Sequence, residues 1–268
     1  MTPLASVRAS STVLAAAGLA EPVPAWLSEA ERTRILRLRR PEDRRDATAA
    51  RVLVRQLVSA STGQPPEHIN LAQHCPVCQA HGHGRPFLPA HPNLHVSFAH
   101  VEGWVSAVIA SGPCGIDIEL RQRMPVRLRS ALHPNEARWA DHHDDANQAL
   151  AILWVAKEAL VKAGRCDLDQ FAEVALIHGG QLRQDVYDCR LTWLDLGRSH
   201  ALATPQPIRG QACTGYQQAP TDRSMALNSA SYPFSMAPLG SVNSPAPTAA
   251  VAIRMDGLPE NDLHPRFI

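Results

Sequence analysis

Residues 104–120 read Trp-Val-Ser-Ala-Val-Ile-Ala-Ser-Gly-Pro-Cys-Gly-Ile-Asp-Ile-Glu-Leu. β-Branched residues fill Trp104 to Ala110, and Gly115 to Leu120 alternates apolar with acidic, so both stretches predict strands. The turn Ser111-Gly-Pro-Cys-Gly115 between them predicts a hairpin. Residues two apart on a strand share a face, which sends Asp117 and Glu119 to one side and Ile116 and Ile118 into the core. Two carboxylates on a rigid strand suit Mg²⁺, which takes one or two protein oxygens and leaves the rest to water and substrate phosphate. The same alternation also marks any half-exposed strand.

Outward from this stretch, Leu94 to Phe98 predicts another strand. Residues 28–60 read as helical: Ser28 and Glu31 make a capping-box pair, Pro41 opens a second helix, and Ala47 to Val58 places apolar residues at helical spacing. Downstream, residues 134–163 are helical by period, and Phe171 to Ile177 and Arg190 to Leu196 predict short strands. Residues 61–92, rich in Gly, Pro and His, predict a connection. At the start, Thr12 to Ala20 reads as an alanine-rich leader or first strand rather than a secretory signal, because the apolar stretch is short and only Arg8 flanks it. Strands and helices follow no regular alternation, which makes the fold class α+β. Residues 204–268 are dominated by Ser, Pro, Ala, Gln and Thr without period, and predict a disordered tail.

The chain has 268 residues, 45% hydrophobic and 19% charged, enough to bury a core without staples and unlike a fibrous or wholly disordered protein. No apolar run is long enough to span a membrane. A net charge of +1 argues against a globally basic nucleic-acid binder. Residues 29–55 nevertheless carry nine arginines against five acids, a positive edge whose charges mostly suit a solvated helix face, with two or three to spare for a phosphate. Six cysteines in this length form no dense disulfide framework, so a reducing, cytoplasmic setting is expected.

Both lysines of the chain, Lys157 and Lys162, fall within Trp154-Val-Ala-Lys-Glu-Ala-Leu-Val-Lys162, although every other cation is arginine. On a helix Trp154, Glu158 and Lys162 share one stripe and Lys157 lies one residue round. Such a segment is either a surface helix with a Glu-to-Lys pair or a site in which Glu158 adds a third metal ligand and the ammonium groups bracket a phosphate. The exclusive placement of the lysines favours the site.

An Asp-x-Glu strand followed about 35 residues later by Trp-x-x-Lys-Glu-x-x-x-Lys resembles the signature of the 4′-phosphopantetheinyl transferase superfamily. Gly84-Arg-Pro-Phe87 is similar to the family's Gly-(Lys/Arg)-Pro segment, and His95-Val-Ser-Phe-Ala-His100 to its Ser-His strand, with Ala99 where the family has serine. The resemblance covers residues 25–200. With the aspartate as far in as position 117, it points to the longer Sfp type. It implies a monomer of two similar α/β halves, a pseudo-dimer, with coenzyme A between residues 1–110 and 111–203.

The resemblance also implies a holo-[acyl-carrier-protein] synthase activity. The 4′-phosphopantetheine arm of coenzyme A would pass to a serine of an acyl or peptidyl carrier protein, releasing 3′,5′-ADP. Asp117, Glu119 and Glu158 would hold Mg²⁺. Glu136 would be the general base, Lys162 would stabilise the leaving group, and Lys157 and His100 would contact phosphates. Arg44, Arg45, Arg55 and Arg85 are candidates for the 3′-phosphate and adenine end.

Separately, Cys75, Cys78, His81 and His83 form a Cys-x-x-Cys and paired-histidine cluster that either holds a structural Zn²⁺ or is a metal-free loop. Two other readings compete with the transferase. One is a zinc- or carrier-binding module without catalysis. The other is a glycoside hydrolase using Asp117 and Glu119, which a (β/α)₈ barrel would need more patterned chain to build.

Overall fold

A computed structural model describes residues 3–19, 23–75, 78–80, 82–120, 126–195, 247–254 and 266–267. Strand β1 (Leu4–Ala9) runs directly into helix α1 (Ser10–Ala16). Helix α2 (Glu29–Leu36) starts at the expected capping box, in which the Ser28 amide donates to Glu31 Oε2 at 2.9 Å and Ser28 Oγ accepts from the Glu31 amide. Helix α3 (Pro41–Thr62) carries proline in its first turn and stops at Gly63.

The residues expected as a plain connection contain a small hairpin, β2 (Ala72–His74) with β3 (Arg85–Phe87). Strands β4 (His95–Val101) and β5 (Trp104–Ala110) form a second hairpin, whose Gly103 amide donates to buried Asp46 of α3 at 2.6 Å. Strand β6 (Cys114–Leu120) follows. The helical region after it divides into α4 (Pro134–Asp141) and α5 (Ala146–Lys162), with Asp145 capping the second by accepting from the Gln148 amide.

Short strands β7 (Ile177–His178), β8 (Gln181–Leu182) and β9 (Asp185–Val186) precede β10 (Cys189–Asp195), and of the strand expected over 171–177 only Ile177 is in one, the rest being turn or irregular. Strands β11 (Pro247–Arg254) and β12 (Arg266–Phe267) end the described chain.

Two four-stranded sheets carry the fold, in the orders β12-β1-β5-β4 and β6-β11-β10-β9. This mixed arrangement is α+β and, among the described residues, contains no (β/α)₈ barrel. Two expectations change. Strands β5 and β6 do not form a hairpin, because β1 and β4 occupy both edges of β5; the turn at 111–113 hands the chain from one sheet to the other. The predicted disordered tail supplies β11, which pairs antiparallel with β6 on one side and β10 on the other. Residues 196–246 and 255–265 lie outside the described residues.

Each sheet is covered by one long helix. Helix α3 buries Val52, Leu53, Leu57 and Val58 with Val96, Val105 and Ile109. Helix α5 buries Leu153, Ala156 and Leu160 with Leu176 and Leu191. Between the sheets, Ala5, Val108, Ala110, Cys114 and Ile116 make one apolar seam and Ala99, Val101, Ile118 and Leu120 another. The Ile116 amide donates to Ser97 Oγ at 3.2 Å, a side-chain bond that ties β6 to β4.

The contact that brings α5 onto β6 is backbone to backbone. A Cβ at Gly115 would overlap the Ala159 carbonyl oxygen and lie 2.7 Å from the Ala163 nitrogen. Only glycine permits that approach. Gly115→Ala should lower stability by about 3 kcal/mol in urea unfolding, because the rigid helix backbone has nowhere to shift without opening the core. Deleting residues 247–268 should leave β6 without its strand partner and β10 paired only with β9, and abolish a single cooperative thermal transition; a Tm within a few degrees of the intact chain would show that β11 contributes nothing to the sheet.

Candidate active site

The alternation expected for β6 is realised. Ile116 and Ile118 enter the seams between the sheets, while Asp117 faces a cleft of about 580 Å³. The floor combines Asp117 of β6 with Val161 and Lys162 of α5. One wall is β4, with Ser97, Phe98, Ala99 and His100, and the other comes from α2, α3 and the β2–β3 hairpin. Lys162 Nζ donates to Asp117 Oδ1 at 2.6 Å and to the Ile116 carbonyl at 3.1 Å, so the ammonium is fixed to the strand beside the carboxylate.

Four permanently cationic side chains line this cleft, Arg34, Arg51, Arg85 and Lys162, against two acids, Asp117 and Asp167. Arg51 is the least expected of them. It is buried, its Nη1 donates to the Ala47 carbonyl, and burial first, then neighbouring Arg34 and Arg55, pull its pKa down to about 10, which still leaves it charged at neutral pH.

The carboxylate nearest it, Glu31, is already committed to Arg55 through bonds of 3.0 and 2.8 Å and stands 3.7 Å from Arg51 Nε. Two guanidinium groups thus share one carboxylate, leaving an uncompensated positive charge under the cleft wall, an arrangement suited to an anion. A second hollow of about 740 Å³ adjoins the cleft through Arg34 and Leu38 and adds Arg37. It contains none of the acidic-strand or lysine-helix residues.

His100 lines the cleft, and the crowding around it, then Arg51, hold its imidazole below the ordinary value. Burial raises the carboxyl pKa of both Glu119 and Glu158. The Asp117 charge adds to both shifts and Glu119 adds to that of Glu158, while Lys162 opposes them. The three carboxylates therefore sense one another, with one ammonium among them. Hard oxygen donors suit Mg²⁺, and of the three Asp117 lines the cleft while Glu119 and Glu158 are not among its lining residues. Among the described residues the three carboxylates do not bring an oxygen each within 4.8 Å of one another, as Cys75, Cys78 and His83 do with their sulfur and nitrogen atoms.

Several expected residues lie elsewhere. Glu136 and Lys157 do not reach the cleft: both are 0% exposed and form an ion pair of 2.9 Å. The other two Lys157 donors go to the Phe171 and Val174 carbonyls, and Glu136 accepts from the His133 amide and from the Leu176 amide at 2.8 Å. With every donor filled, the pair braces α4, α5 and the 171–176 segment, which removes Glu136 as an accessible base and Lys157 as a phosphate contact.

Arg55 is sequestered with Glu31 and the Ile69 carbonyl. Arg44 donates to the Leu38 carbonyl, and Arg45 points to Asp46 at 3.6 Å. Of the four expected arginines only Arg85 lines the cleft. Arg34, Arg51 and Asp167 went unrecognised; the signal for Arg51 was an arginine inside the apolar stripe of α3. Ser97, 3% exposed, accepts from the Ile116 amide, and Ala99, at the position where the family has serine, packs in the seam with Ile118 and Leu120.

Residues 113–209 match the family model of the 4′-phosphopantetheinyl transferase superfamily. Among curated proteins the chain is 26% identical over 198 residues to a 4′-phosphopantetheinyl transferase of Bacillus subtilis, covering 70% of this chain and 85% of that protein. It is 30% identical over 84 residues to the 4′-phosphopantetheinyl transferase gsp of Aneurinibacillus migulanus, covering 30% and 35%. The region that matches the family model contains both the acidic strand and the lysine helix. No described helix is long and apolar enough to cross a membrane.

Two measurements check this geometry. Lys157→Met should cost about 3–5 kcal/mol of stability by stranding Glu136 in the core, with part of it recovered in the Lys157→Met, Glu136→Gln double variant. For the cleft, carboxyls with raised folded-state pKa bind protons more tightly folded than unfolded, so their contribution to stability improves as pH falls from neutral and is lost as pH rises. A cation on them acts like the proton. Mg²⁺ should therefore raise Tm at about pH 7.5, with the gain fading toward about pH 5, and Glu158→Gln should shrink it.

Proposed function

We propose that the protein transfers the 4′-phosphopantetheine arm of coenzyme A to a serine hydroxyl of an acyl or peptidyl carrier protein and releases 3′,5′-ADP. The observation that carries this reading is the meeting of Asp117 and Lys162 on the floor of a cleft walled by Arg34, Arg51 and Arg85. The family relationship supplies the reaction class.

The cleft chemistry follows from these residues. The arginines bind the phosphates, and the buried Arg51 charge favours an anion even where the wall excludes water. Ile35, Leu38 and Phe98 give the apolar surface that a ring or the pantetheine chain requires. His100, held largely neutral, gains a proton as a phosphate arrives beside it. Asp117, Glu119 and Glu158 would hold Mg²⁺, which when bound neutralises pyrophosphate charge.

Lys162, held by Asp117 and the Ile116 carbonyl, would offer its ammonium to the charge that develops on the departing phosphate oxygen. The serine oxygen forms the new phosphodiester as the pyrophosphate bridge breaks toward 3′,5′-ADP, with the serine proton released to water. Glu136, locked in the core, has no path to that proton.

Incubation with coenzyme A, Mg²⁺ and an apo carrier protein should add one phosphopantetheine arm to the carrier by mass spectrometry. Lys162→Ala should lower kcat by about 10²–10³-fold, and Arg34→Ala should act mainly on KM for coenzyme A. An unmodified mass across a panel of acyl and peptidyl carriers would overturn the assignment.

A further inference from the structure

The loop joining β2 to β3 holds a second cluster, separate from the carboxylates. Cys75, Cys78 and His83 place their ligand atoms within 4.8 Å of one another, and Cys78 Sγ lies 3.1 Å from His83 Nε2. Zinc bonds of ~2.3 Å to sulfur and ~2.0 Å to nitrogen put tetrahedral corners about 3.5–3.8 Å apart. Cys78 and His83 stand slightly inside that spacing, and the Cys75 sulfur lies within 4.8 Å of both. Cys75 and Cys78 are thiols rather than halves of a disulfide.

The backbone is wound to hold them. The Gln79 amide donates to the Cys75 carbonyl at 2.9 Å, the Cys75 amide to Ala80 at 3.0 Å, and the Gly82 amide to Gln73 at 3.0 Å. Gln79 adopts a φ of 59°, uncommon for a residue with a side chain. At Gly84, with φ +87°, a Cβ would strike the His74 carbonyl and lie 2.7 Å from the Cys75 nitrogen. The loop is therefore closed tightly on itself, with its soft ligands at the tip.

We infer that Cys75, Cys78 and His83 bind one Zn²⁺ as two thiolates and an imidazole, releasing the two thiol protons on binding. His81, expected as a ligand from the sequence, lies outside the described residues. The site has a structural consequence. His74 pairs with Arg85 across the β2–β3 ladder, immediately beside Cys75 and Gly84. Arg85 in turn lays its guanidinium against Gly164 at the end of α5, where it lines the cleft next to Lys162. The metal clips the hairpin that delivers Arg85 to the anion, a role that rests on the proposed function, whereas the metal binding itself does not.

Protein purified under reducing conditions without chelator should carry about one zinc per chain by elemental analysis. Cys75→Ser and Cys78→Ser should each lose it. Co²⁺ added to the metal-free wild type should give the thiolate-to-cobalt absorption of a sulfur-ligated tetrahedral site, a readout that needs no variant to fold. Substoichiometric zinc together with a featureless Co²⁺ titration would overturn the site.

For the clip, calorimetry should show coenzyme A binding several-fold more weakly to metal-free than to zinc-loaded protein; equal affinities would overturn that role. Failure of both forms to bind coenzyme A would refute the proposed function and leave the metal result standing.

Discussion

Helix α5 lies on strand β6 with nothing between the two backbones, and the absence of a side chain at Gly115 is what allows it. From that contact the positions of Asp117, two residues along the strand, and of Lys162, one turn from Ala159, are both determined. Their 2.6 Å bond is the result. A wider helix-to-strand spacing would still bury an apolar face, but it would carry the ammonium away from the carboxylate and open the cleft floor. Close packing here is a requirement of the chemistry before it is one of stability.

The electrostatics build on this geometry. The floor is acidic with one lysine, and the walls are basic. Glu31, buried with Arg51 and Arg55, shows how the imbalance is kept: one carboxylate answers two guanidinium groups, and the remainder faces the cleft. Removing water from these charges magnifies their effect on an anionic ligand, and a ligand carrying several phosphates would relieve the imbalance.

Much of this was legible in the sequence where a local pattern decides it. The capping box at Ser28 and Glu31, the alternating face of β6 and the stripe of Glu158 and Lys162 need only the period of one element. What was not legible depends on partners far along the chain. The turn at 111–113 looks like a hairpin because nothing local says that β1 and β4 will take both edges of β5. Lys157 sits one residue round from the functional stripe, and that rotation of about 100° is enough to send it into the core beside Glu136. Both lysines occupy positions that want a compact ammonium, Lys157 with three acceptors around one nitrogen and Lys162 between a carboxylate and a carbonyl. The sequence singles them out as a pair, although only one belongs to the cleft.

Strand β11 sets a timetable for the molecule. As synthesis proceeds, β6, α4, α5 and β10 emerge long before Pro247–Arg254, the strand that must slide between β6 and β10. Until it arrives, the acidic strand has a bare edge and the second sheet cannot close, so the nascent chain passes through an open, self-sticky stage. Pairing between segments so distant is also slow. Maturation of this protein is therefore governed by this late-made strand, and conditions that delay it would be felt as aggregation.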